Sequence, residues 1–343
     1  MSRPSASLSP VRGTAEQILD LLRAWEVADD PAPLSIETSG STGQPKRVLL
    51  SRKAMRASAD ATHARLGGVG QWLLNLPPAY VAGLQVLFRS VRAGTEPVLQ
   101  PDDLATAAQR LTAERRYVSL VPTQLHGVLD DPTRTKALAR FDAVLVGGAS
   151  LDPHLRATAE AAGIRVVTTY GMSETCGGCV YDGLPLDGVA VKIGADDRIR
   201  IGGPVLFDGY DTEDGTDEAK EDGWFVTQDH GRIDEDGYLQ VLGRVDDVVI
   251  SGGVNVPTAA VASRLRAHAD VRAAEVLGVP DARWGHRVVA VVVGTLDLGD
   301  ARDWVAEQHP RAWAPREIVH VDAFPLLGNG KIDRLALAEL ARA

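Results

Sequence analysis

Residues 38–46 read Thr-Ser-Gly-Ser-Thr-Gly-Gln-Pro-Lys and combine the chemical groups of a phosphate-binding loop. Hydroxyl side chains can hydrogen-bond phosphate oxygens, glycines let the backbone approach a ligand closely, and a lysine supplies positive charge. A Walker A motif needs four residues between its glycines, whereas Gly40 and Gly43 are three apart and Pro45 precedes Lys46. An ordinary P-loop ATPase therefore fits poorly. Taken alone, the stretch suits a polyphosphate-binding loop and a flexible glycine-serine turn about equally.

The segments around this loop predict an α/β fold. Short strands are expected near residues 34–37 and 48–50, followed by a helix to about residue 66. From residue 72 to residue 168 predicted strands and helices alternate, which implies a mostly parallel sheet covered by helices on both faces. After Gly188 short strands follow one another with close turns, as in a small β-subdomain. The acidic stretch 208–222 is expected to be an exposed loop or hairpin tip.

A domain boundary is predicted after Gly243. Charged residues and glycines flank the short apolar segment 248–250, which is the composition of a linker. We therefore predict a large N-terminal domain, residues 1–243, and a smaller α+β domain, residues 244–343.

Composition restricts the class of function. Apolar residues make up 45% and charged residues 24% of the 343 residues, as in folded globular proteins. The formal net charge of -10 disfavours nonspecific binding to nucleic acid or an anionic membrane, so we expect small-molecule substrates. We recognise neither a signal peptide nor a membrane span, and we expect a cytoplasmic protein. Whether it forms a homo-oligomer stays open.

The two cysteines, Cys176 and Cys179, exclude a disulfide scaffold. Their spacing suits a redox pair or half of a zinc site, but neither a second CxxC nor a spaced pair of histidines accompanies them. We favour small side chains in a glycine-rich turn.

Ligands of doubly wound sheets bind beyond the carboxyl ends of the strands, and two such segments carry candidate residues. Gly148 and Ala149 would let a flat ring lie against the backbone, although a simple tight turn fits equally well. In the segment 170–175, Tyr170 could stack on a base, Glu174 could bind Mg²⁺ and Thr175 could contact a phosphate. A solvated loop is the less favoured alternative there.

Two further residues are candidates with strong structural alternatives. Asp229 follows a predicted strand and could accept hydrogen bonds from two sugar hydroxyls, but it could also be a turn or N-cap residue. Lys331 lies on the glycine turn 328–331, where a lysine is more often simply solvated.

The order of the motifs resembles the adenylate-forming acyl-CoA synthetase superfamily. The matching segments are TSGSTGQPK at 38–46, YGMSET at 170–175, TQDHGR at 227–232, GRVDD at 243–247 with SGG, and GNGKIDR at 328–334. The resemblance covers nearly the whole chain and is strongest for short actinobacterial members that activate an aromatic dicarboxylate, o-succinylbenzoate, in menaquinone biosynthesis.

The resemblance implies a reaction and its small-molecule partners. The acid would attack the α-phosphate of ATP to give an acyl-adenylate and pyrophosphate, and CoA would then displace AMP to give a thioester. The implied requirements are ATP, Mg²⁺, CoA and the aromatic dicarboxylate.

By resemblance the site residues fall into sets. The implied catalytic residues are Lys331, Thr175 and Lys46. The implied ATP-binding residues are Thr38, Ser39, Gly40, Ser41, Thr42, Gly43, Lys46, Gly148, Ala149, Tyr170, Gly171, Thr175, Asp229 and Arg244. The implied acyl-binding residues are Tyr80, Gly83, Leu84, Gly171, Met172 and Gly177. Glu174 would bind the metal, Gly252 and Gly253 would contact CoA, and Asp246 would be the hinge about which a mobile C-terminal domain rotates.

The chain departs from the superfamily pattern at Arg47, where glycine is usual, and at Tyr80, where histidine is common. Because Tyr80 lies beside the expected acyl pocket, another aryl or fatty acid stays an alternative substrate. Transfer of the acyl group to a carrier protein and a catalytically inactive nucleotide-binding regulator are further alternatives. The retained Glu174, Asp229 and Lys331 argue against the inactive regulator.

Overall fold

A seven-stranded sheet lies at the centre of the N-terminal region of the structure, a computed structural model that describes residues 10–38, 46–99, 103–211, 220–325 and 332–342. The α-helices of the described residues are α1 (Ala15–Val27), α2 (Arg52–Arg65), α3 (Val81–Ala93), α4 (Leu104–Gln109), α5 (Pro122–Leu129), α6 (Pro132–Leu138), α7 (Pro153–Ala161), α8 (Thr258–Arg266), α9 (Leu298–Ala306) and α10 (Arg334–Leu340). The strands are β1 (Leu34–Thr38), β2 (Lys46–Leu50), β3 (Gln71–Leu74), β4 (Val98–Leu99), β5 (Arg116–Leu120), β6 (Ala143–Val146), β7 (Val166–Met172), β8 (Gly177–Tyr181), β9 (Leu184–Pro185), β10 (Ala190–Ile193), β11 (Arg198–Gly202), β12 (Gly209–Tyr210), β13 (Lys220–Glu221), β14 (Trp224–Ile233), β15 (Leu239–Arg244), β16 (Val248–Ser251), β17 (Val254–Pro257), β18 (Val271–Asp281), β19 (Gly285–Gly294) and β20 (Glu317–His320).

The central sheet has the strand order β4-β3-β5-β6-β7-β8-β9 and is parallel from β4 to β7. Successive side chains of a strand point to opposite faces, and in β3 Trp72 and Leu74 pack with α1, α2 and α3, whereas Leu73 packs with α4 to α7. Apolar cores on both faces confirm the predicted helix-covered, mostly parallel sheet.

The β-subdomain and the C-terminal region have sheets of their own. Strands β10, β11, β14 and β13 form one antiparallel sheet, and β15 joins it beside β14. Strands β17, β16, β19 and β18 form another, to which β20 adds in parallel along β19. The apolar clusters of this last sheet draw only on residues from Val254 onward, in agreement with the α+β fold predicted there. The boundary itself, between residues 243 and 244, stays a prediction.

The structure corrects several element predictions. The stretch 208–222 is not simply an exposed tip, because Gly209–Tyr210 pairs with β2 and Lys220–Glu221 pairs with β14. Strand β14 extends well beyond residue 227 and includes Asp229. Two further elements, α6 and β17, were not predicted from the sequence. Helix α6 is only seven residues long and β17 four, so neither displays a clear hydrophobic period.

No helix within the described ranges is both long and apolar enough to cross a bilayer.

Candidate active site

The ends of the phosphate loop are held by a strand pair. Strands β1 and β2 are antiparallel, with Thr38 directly opposite Lys46, and the Thr38 hydroxyl donates a 3.3 Å hydrogen bond to the Lys46 carbonyl. The loop therefore begins and ends at one point of the sheet. Five of the predicted ATP-binding residues, Ser39, Gly40, Ser41, Thr42 and Gly43, lie outside the described residues.

Tyr210 connects this loop to the predicted metal ligand. Its hydroxyl donates a 2.7 Å hydrogen bond to the Glu174 carboxylate. The Lys46 ammonium lies 5.0 Å from the centre of the Tyr210 ring, within the range of a cation–π contact. Because β12 pairs with β2, Tyr210 is brought to the strand that carries Lys46. The structure thus places the loop lysine over the face of this ring and the carboxylate at its hydroxyl.

Thr175 is fully buried and its hydroxyl is engaged by the backbone. The hydroxyl accepts a 2.9 Å hydrogen bond from the Met172 amide and lies 2.7 Å from the Gly177 carbonyl, to which it donates. These bonds close the 3₁₀ turn 173–175 that follows β7 and carries Glu174. Contact of the Thr175 hydroxyl with the α-phosphate stays a prediction, whereas its role in shaping the turn is directly visible.

Tyr170, Asp229 and Arg244 lie together at one corner of the site. The Tyr170 hydroxyl donates a 2.8 Å hydrogen bond to Asp229 Oδ2, and Arg244 Nη1 lies 3.9 Å from Asp229 Oδ1. Arg244 is the register partner of Asp229 across β14 and β15. A central strand position excludes the turn and N-cap alternatives for Asp229. The three residues predicted to hold the adenosine therefore come together.

Burial controls the ionisation of this corner. Burial raises the pKa of Asp229, while the hydrogen bond from Tyr170 and the charge of Arg244 act in the opposite direction. Burial, reinforced by the Asp229 carboxylate, raises the pKa of Tyr170 far above that of an ordinary tyrosine. The phenol consequently stays a hydrogen-bond donor at all physiological pH values.

A close backbone contact explains the glycine at position 171, and a positive φ explains the glycine at position 148. A Cβ atom on Gly171 would lie 2.1 Å from the Gly177 carbonyl oxygen, because β7 and β8 approach closely there. Gly148 has a φ of +80°, and both Gly148 and Ala149 are exposed beyond the end of β6. A flat ring could therefore reach the backbone of residues 148 and 149, as the sequence predicts.

The predicted acyl-binding residues occupy different environments. Tyr80 precedes α3 and is 54% exposed, and Met172 is half-buried at the end of β7. Gly83 packs against the turn before α3, since a Cβ there would lie 2.2 Å from the Pro77 carbonyl oxygen, and Leu84 is a core residue. Gly83 and Leu84 thus have clear packing roles, and their contact with an acyl group stays a prediction.

Both cysteines are fully buried and unpaired. Burial is the main cause that raises the pKa of Cys176 far above that of an ordinary thiol and the pKa of Cys179 to about 12, so neither thiol forms a reactive thiolate at neutral pH. The described residues contain no cluster of three or more histidine, cysteine, aspartate or glutamate side chains suited to a metal. Both cysteines are buried small side chains, as expected, but only Cys176 ends a turn, whereas Cys179 lies in β8.

Gly252 and Gly253 form the exposed turn between β16 and β17, with φ angles of +58° and +79°. A Cβ on Gly252 would lie 2.8 Å from the ring of Trp284. The guanidinium of Arg316 lies 3.4 Å, and that of Arg283 5.0 Å, from the centre of the same ring. An aromatic ring with two cations therefore adjoins the predicted CoA-binding glycines.

Lys331 lies outside the described residues, as does the side chain of Asp246. Sequence reasoning missed Tyr210 and Trp284. Tyr210 is an aromatic residue in an acidic stretch, and Trp284 precedes a glycine shortly after Asp281. Neither residue stands out in the sequence before the strand pairing is known.

The two-region α/β fold, with Tyr170, Asp229 and Arg244 brought together at one corner, agrees with the nucleotide-binding enzyme expected from the sequence. The chain belongs to the AMP-binding enzyme family: the family model matches residues 10–210, and the model of the AMP-binding enzyme C-terminal domain matches residues 260–331. This confirms the family expected from the motifs.

Particular relatives share a single activity in their names. The chain is 46% identical over 340 residues to a probable 2-succinylbenzoate–CoA ligase of Mycobacterium tuberculosis, covering 94% of this chain and 88% of the relative. It is 32% identical to the 2-succinylbenzoate–CoA ligase of Enterococcus faecalis, covering 86% of this chain and 67% of the relative. The o-succinylbenzoate CoA synthetase of Bacillus subtilis, solved with the acyl-adenylate OSB-AMP, superimposes with a TM-score of 0.72 at 28% identity, covering 89% of this chain and 68% of that one.

Proposed function

We propose that this protein is an ATP-dependent 2-succinylbenzoate–CoA ligase. The observation that carries the proposal is the 46% identity over 94% of the chain to a relative of that name, together with the convergence of Tyr170, Asp229 and Arg244. A carboxylate oxygen of the acid bonds to the α-phosphorus of ATP as pyrophosphate leaves. The CoA thiolate then bonds to the acyl carbon as AMP leaves.

The adenosine corner suits the nucleotide in both steps. Asp229 can accept hydrogen bonds from two ribose hydroxyls, and Arg244 adds a donor beside it. The exposed backbone at residues 148 and 149 offers a flat surface for the adenine. Binding the nucleotide here would aim its phosphates at the turn that carries Glu174 and at Lys46, because that turn directly follows the strand of Tyr170 and Tyr210 connects Glu174 with Lys46.

The phosphate side of the site must offset the negative charges of the ATP phosphates and of the acid carboxylate. Lys46 supplies one cation, and we assign Lys331 the role of bridging the acid carboxylate and the α-phosphate during adenylation. A positioned cation can supply several kcal/mol of transition-state stabilisation, so its removal should cost roughly 10² in rate.

Mg²⁺ is part of this proposal. The half-buried Glu174 carboxylate suits a hard cation, which typically takes only one or two protein carboxylates and completes its shell with substrate phosphates and water. When bound, Mg²⁺ would neutralise charge on the triphosphate. Glu174 would hold it, and Tyr210 would orient Glu174.

CoA is the proposed acyl acceptor. Gly252 and Gly253 present an exposed backbone turn, and Trp284 with Arg283 and Arg316 offers a stacking surface and positive charge for a phosphorylated nucleotide. We further propose that the 244–343 domain rotates about Asp246 between the two steps, and that the enzyme serves menaquinone biosynthesis in the cytoplasm.

A product assay tests the function. Purified protein with ATP, Mg²⁺, CoA and o-succinylbenzoate should release AMP and form one thioester per AMP. Absence of AMP with this acid, but release with another aryl or fatty acid, would overturn the substrate and retain the class. Formation of acyl-AMP without a CoA thioester would favour a carrier protein as the acceptor.

A further inference from the structure

Lys220 is the single basic residue of the acidic stretch 208–222, and its ammonium contacts the backbone of the protein. The Nζ atom donates hydrogen bonds to the Phe207 carbonyl at 2.5 Å and to the Asp208 carbonyl at 3.0 Å. The same ammonium lies 4.7 Å from the centre of the Phe207 ring. Because β13 begins at Lys220 and pairs with β14, the lysine links the β-subdomain to the segment 207–210, which leads into and includes β12.

The peptide unit between Phe207 and Asp208 is held from both sides. Its carbonyl, on Phe207, accepts the hydrogen bond from Lys220, and its amide, on Asp208, donates a 2.9 Å hydrogen bond to the Leu49 carbonyl in β2. A trans peptide is planar, and its C=O and N–H bonds point in opposite directions. A cation that fixes the carbonyl on one side therefore directs the amide toward β2 on the other.

The segment 207–210 also contacts the turn that carries the predicted metal ligand. The Phe207 amide donates a 2.9 Å hydrogen bond to the Glu174 carbonyl. The Phe207 ring is 1% exposed and packs edge-on against the Tyr210 ring at a centroid distance of 5.0 Å. The Tyr210 hydroxyl in turn donates its hydrogen bond to the Glu174 carboxylate. The position of this segment consequently determines whether Tyr210 and Glu174 meet.

Strand β12 is too short to fix that position by strand pairing alone. It consists of Gly209 and Tyr210, which pair with two residues of β2, whereas strands in globular proteins are usually longer. Hydrogen bonds from an ammonium are charge-assisted and about twice as strong as those between neutral groups. Lys220 supplies two such bonds directly before β12.

We infer that Lys220 is a positioning residue for the metal and phosphate side of the site. Its ammonium holds the segment 207–210 so that the Tyr210 hydroxyl reaches Glu174. The inference rests on the proposed function and deepens it, because it assigns a part in Mg²⁺ binding to a residue that acts only through the backbone and Tyr210.

Lys220→Met tests this role, since it keeps an unbranched side chain and removes the N–H donors. We expect the Mg²⁺ concentration for half-maximal activity to rise roughly fivefold, with kcat at saturating Mg²⁺ little changed. A half-saturating concentration does not depend on how much of the sample is folded, so loss of folded protein alone cannot produce the shift. Lys220→Arg keeps a cation that can donate to carbonyls and should restore the wild-type value.

Hydrogen exchange gives a measurement that is independent of turnover. Peptides that cover residues 207–211 should exchange faster in Lys220→Met than in the wild-type protein, because the bond from the Asp208 amide to β2 opens more often. Lys192→Met is the matched control. Lys192 lies in the same β-subdomain, and its ammonium lies 4.1 Å from the centre of a different ring, that of Trp224. Its removal should leave both measurements at wild-type values.

A double variant tests whether Lys220 acts through Tyr210. If it does, Lys220→Met combined with Tyr210→Phe should raise the half-saturating Mg²⁺ concentration no further than Tyr210→Phe alone. Fully additive effects, or wild-type Mg²⁺ dependence in Lys220→Met, would overturn the inference. Should Lys220→Met fail to fold, Lys220→Gln, which keeps a shorter neutral donor, is judged by the same outcomes.

Failure of the proposed function would look different. If the wild-type protein releases no AMP with o-succinylbenzoate, the acid substrate is wrong, but calorimetric titration with ATP at several Mg²⁺ concentrations needs no acid and still tests Lys220. Equal Mg²⁺ dependence of ATP binding in Lys220→Met and wild-type protein would then refute the inference. Tyr210→Phe without effect on Mg²⁺ dependence would refute it as well, because the inferred route passes through that hydroxyl.

Discussion

The Tyr210 hydroxyl donates a 2.7 Å hydrogen bond to the Glu174 carboxylate, and the same ring lies beneath the Lys46 ammonium at 5.0 Å. One side chain thus fixes the distance between a predicted metal ligand and a predicted phosphate-binding cation. Because Tyr210 reaches both through the pairing of β12 with β2, the arrangement depends on tertiary structure and not on neighbouring sequence.

Tyr210→Phe should weaken the binding of Mg²⁺ at the site while preserving the ring under Lys46. A hydrogen bond to a charged group contributes about 1.5–3 kcal/mol, so we expect the Mg²⁺ concentration for half-maximal activity to rise roughly tenfold. Calorimetric titration of the protein with ATP, with and without Mg²⁺, gives a second measurement that is independent of turnover.

Tyr238→Phe is the control for this substitution, because Tyr238 is an exposed tyrosine remote from Glu174 in the chain. It should leave both measurements at wild-type values. Equal Mg²⁺ dependence in Tyr210→Phe and wild-type protein would show that the hydrogen bond does not position Glu174.

Tyr170→Phe and Asp229→Asn should act through one interaction. Asp229→Asn replaces one of the two acceptor oxygens with a donor, and we expect KM for ATP to rise roughly tenfold with kcat less affected. Tyr170→Phe keeps the ring but frees the carboxylate, so a smaller rise in the same constant is expected.

The double variant tests whether Tyr170 acts through Asp229. If it does, adding Tyr170→Phe to Asp229→Asn should change KM for ATP less than Tyr170→Phe does alone, since the charged acceptor is already lost. Fully additive effects would assign the Tyr170 hydroxyl a separate role.

The sequence predicts local parts of this site better than long-range ones. Thr38 and Lys46 were expected on either side of a loop, and the hairpin of β1 and β2 shows them opposite each other. The alternation of strands and helices likewise predicts the central sheet, because the hydrophobic period that marks each strand or helix is set by residues close together in the sequence.

The contacts that could not be predicted from the sequence depend on pairing between strands that lie far apart in the chain. Asp229 and Arg244 are 15 positions apart, and only the register of β14 with β15 places them side by side. Tyr210 was assigned to an exposed acidic stretch because its partner strand β2 lies far earlier in the chain. Motif resemblance predicted that Asp229 and Arg244 act together, but not the hydrogen bond from Tyr170.

Because of His63, we expect the free energy of unfolding to decrease as the pH falls below 6.5. Burial is the main cause that lowers its pKa from 6.5 to about 4, so between these values the unfolded chain binds a proton that the folded chain excludes. This contribution is fully present above pH 6.5 and is lost as the pH falls toward 4. The total effect is up to about 3 kcal/mol in the free energy of unfolding.

His63→Phe should flatten this part of the profile, measured by urea denaturation between pH 4 and pH 7. The exposed His126 offers a matched control, and His126→Gln should retain the wild-type slope. If His63→Phe loses stability with falling pH as steeply as the wild-type protein, other groups cause the loss.

Lys331→Ala separates the two half-reactions. If the lysine bridges the acid carboxylate and the α-phosphate only during adenylation, its removal should slow acyl-adenylate formation roughly 10²-fold or more. Thioester formation from chemically prepared acyl-adenylate and CoA should stay near the wild-type rate, because that step does not join two anions at this lysine. Lys136→Ala, a substitution on α6 outside the proposed site, should leave both rates unchanged. Equal slowing of both half-reactions by Lys331→Ala would mean that the lysine supports the fold or nucleotide binding in general, and undiminished adenylation would remove it from the mechanism altogether.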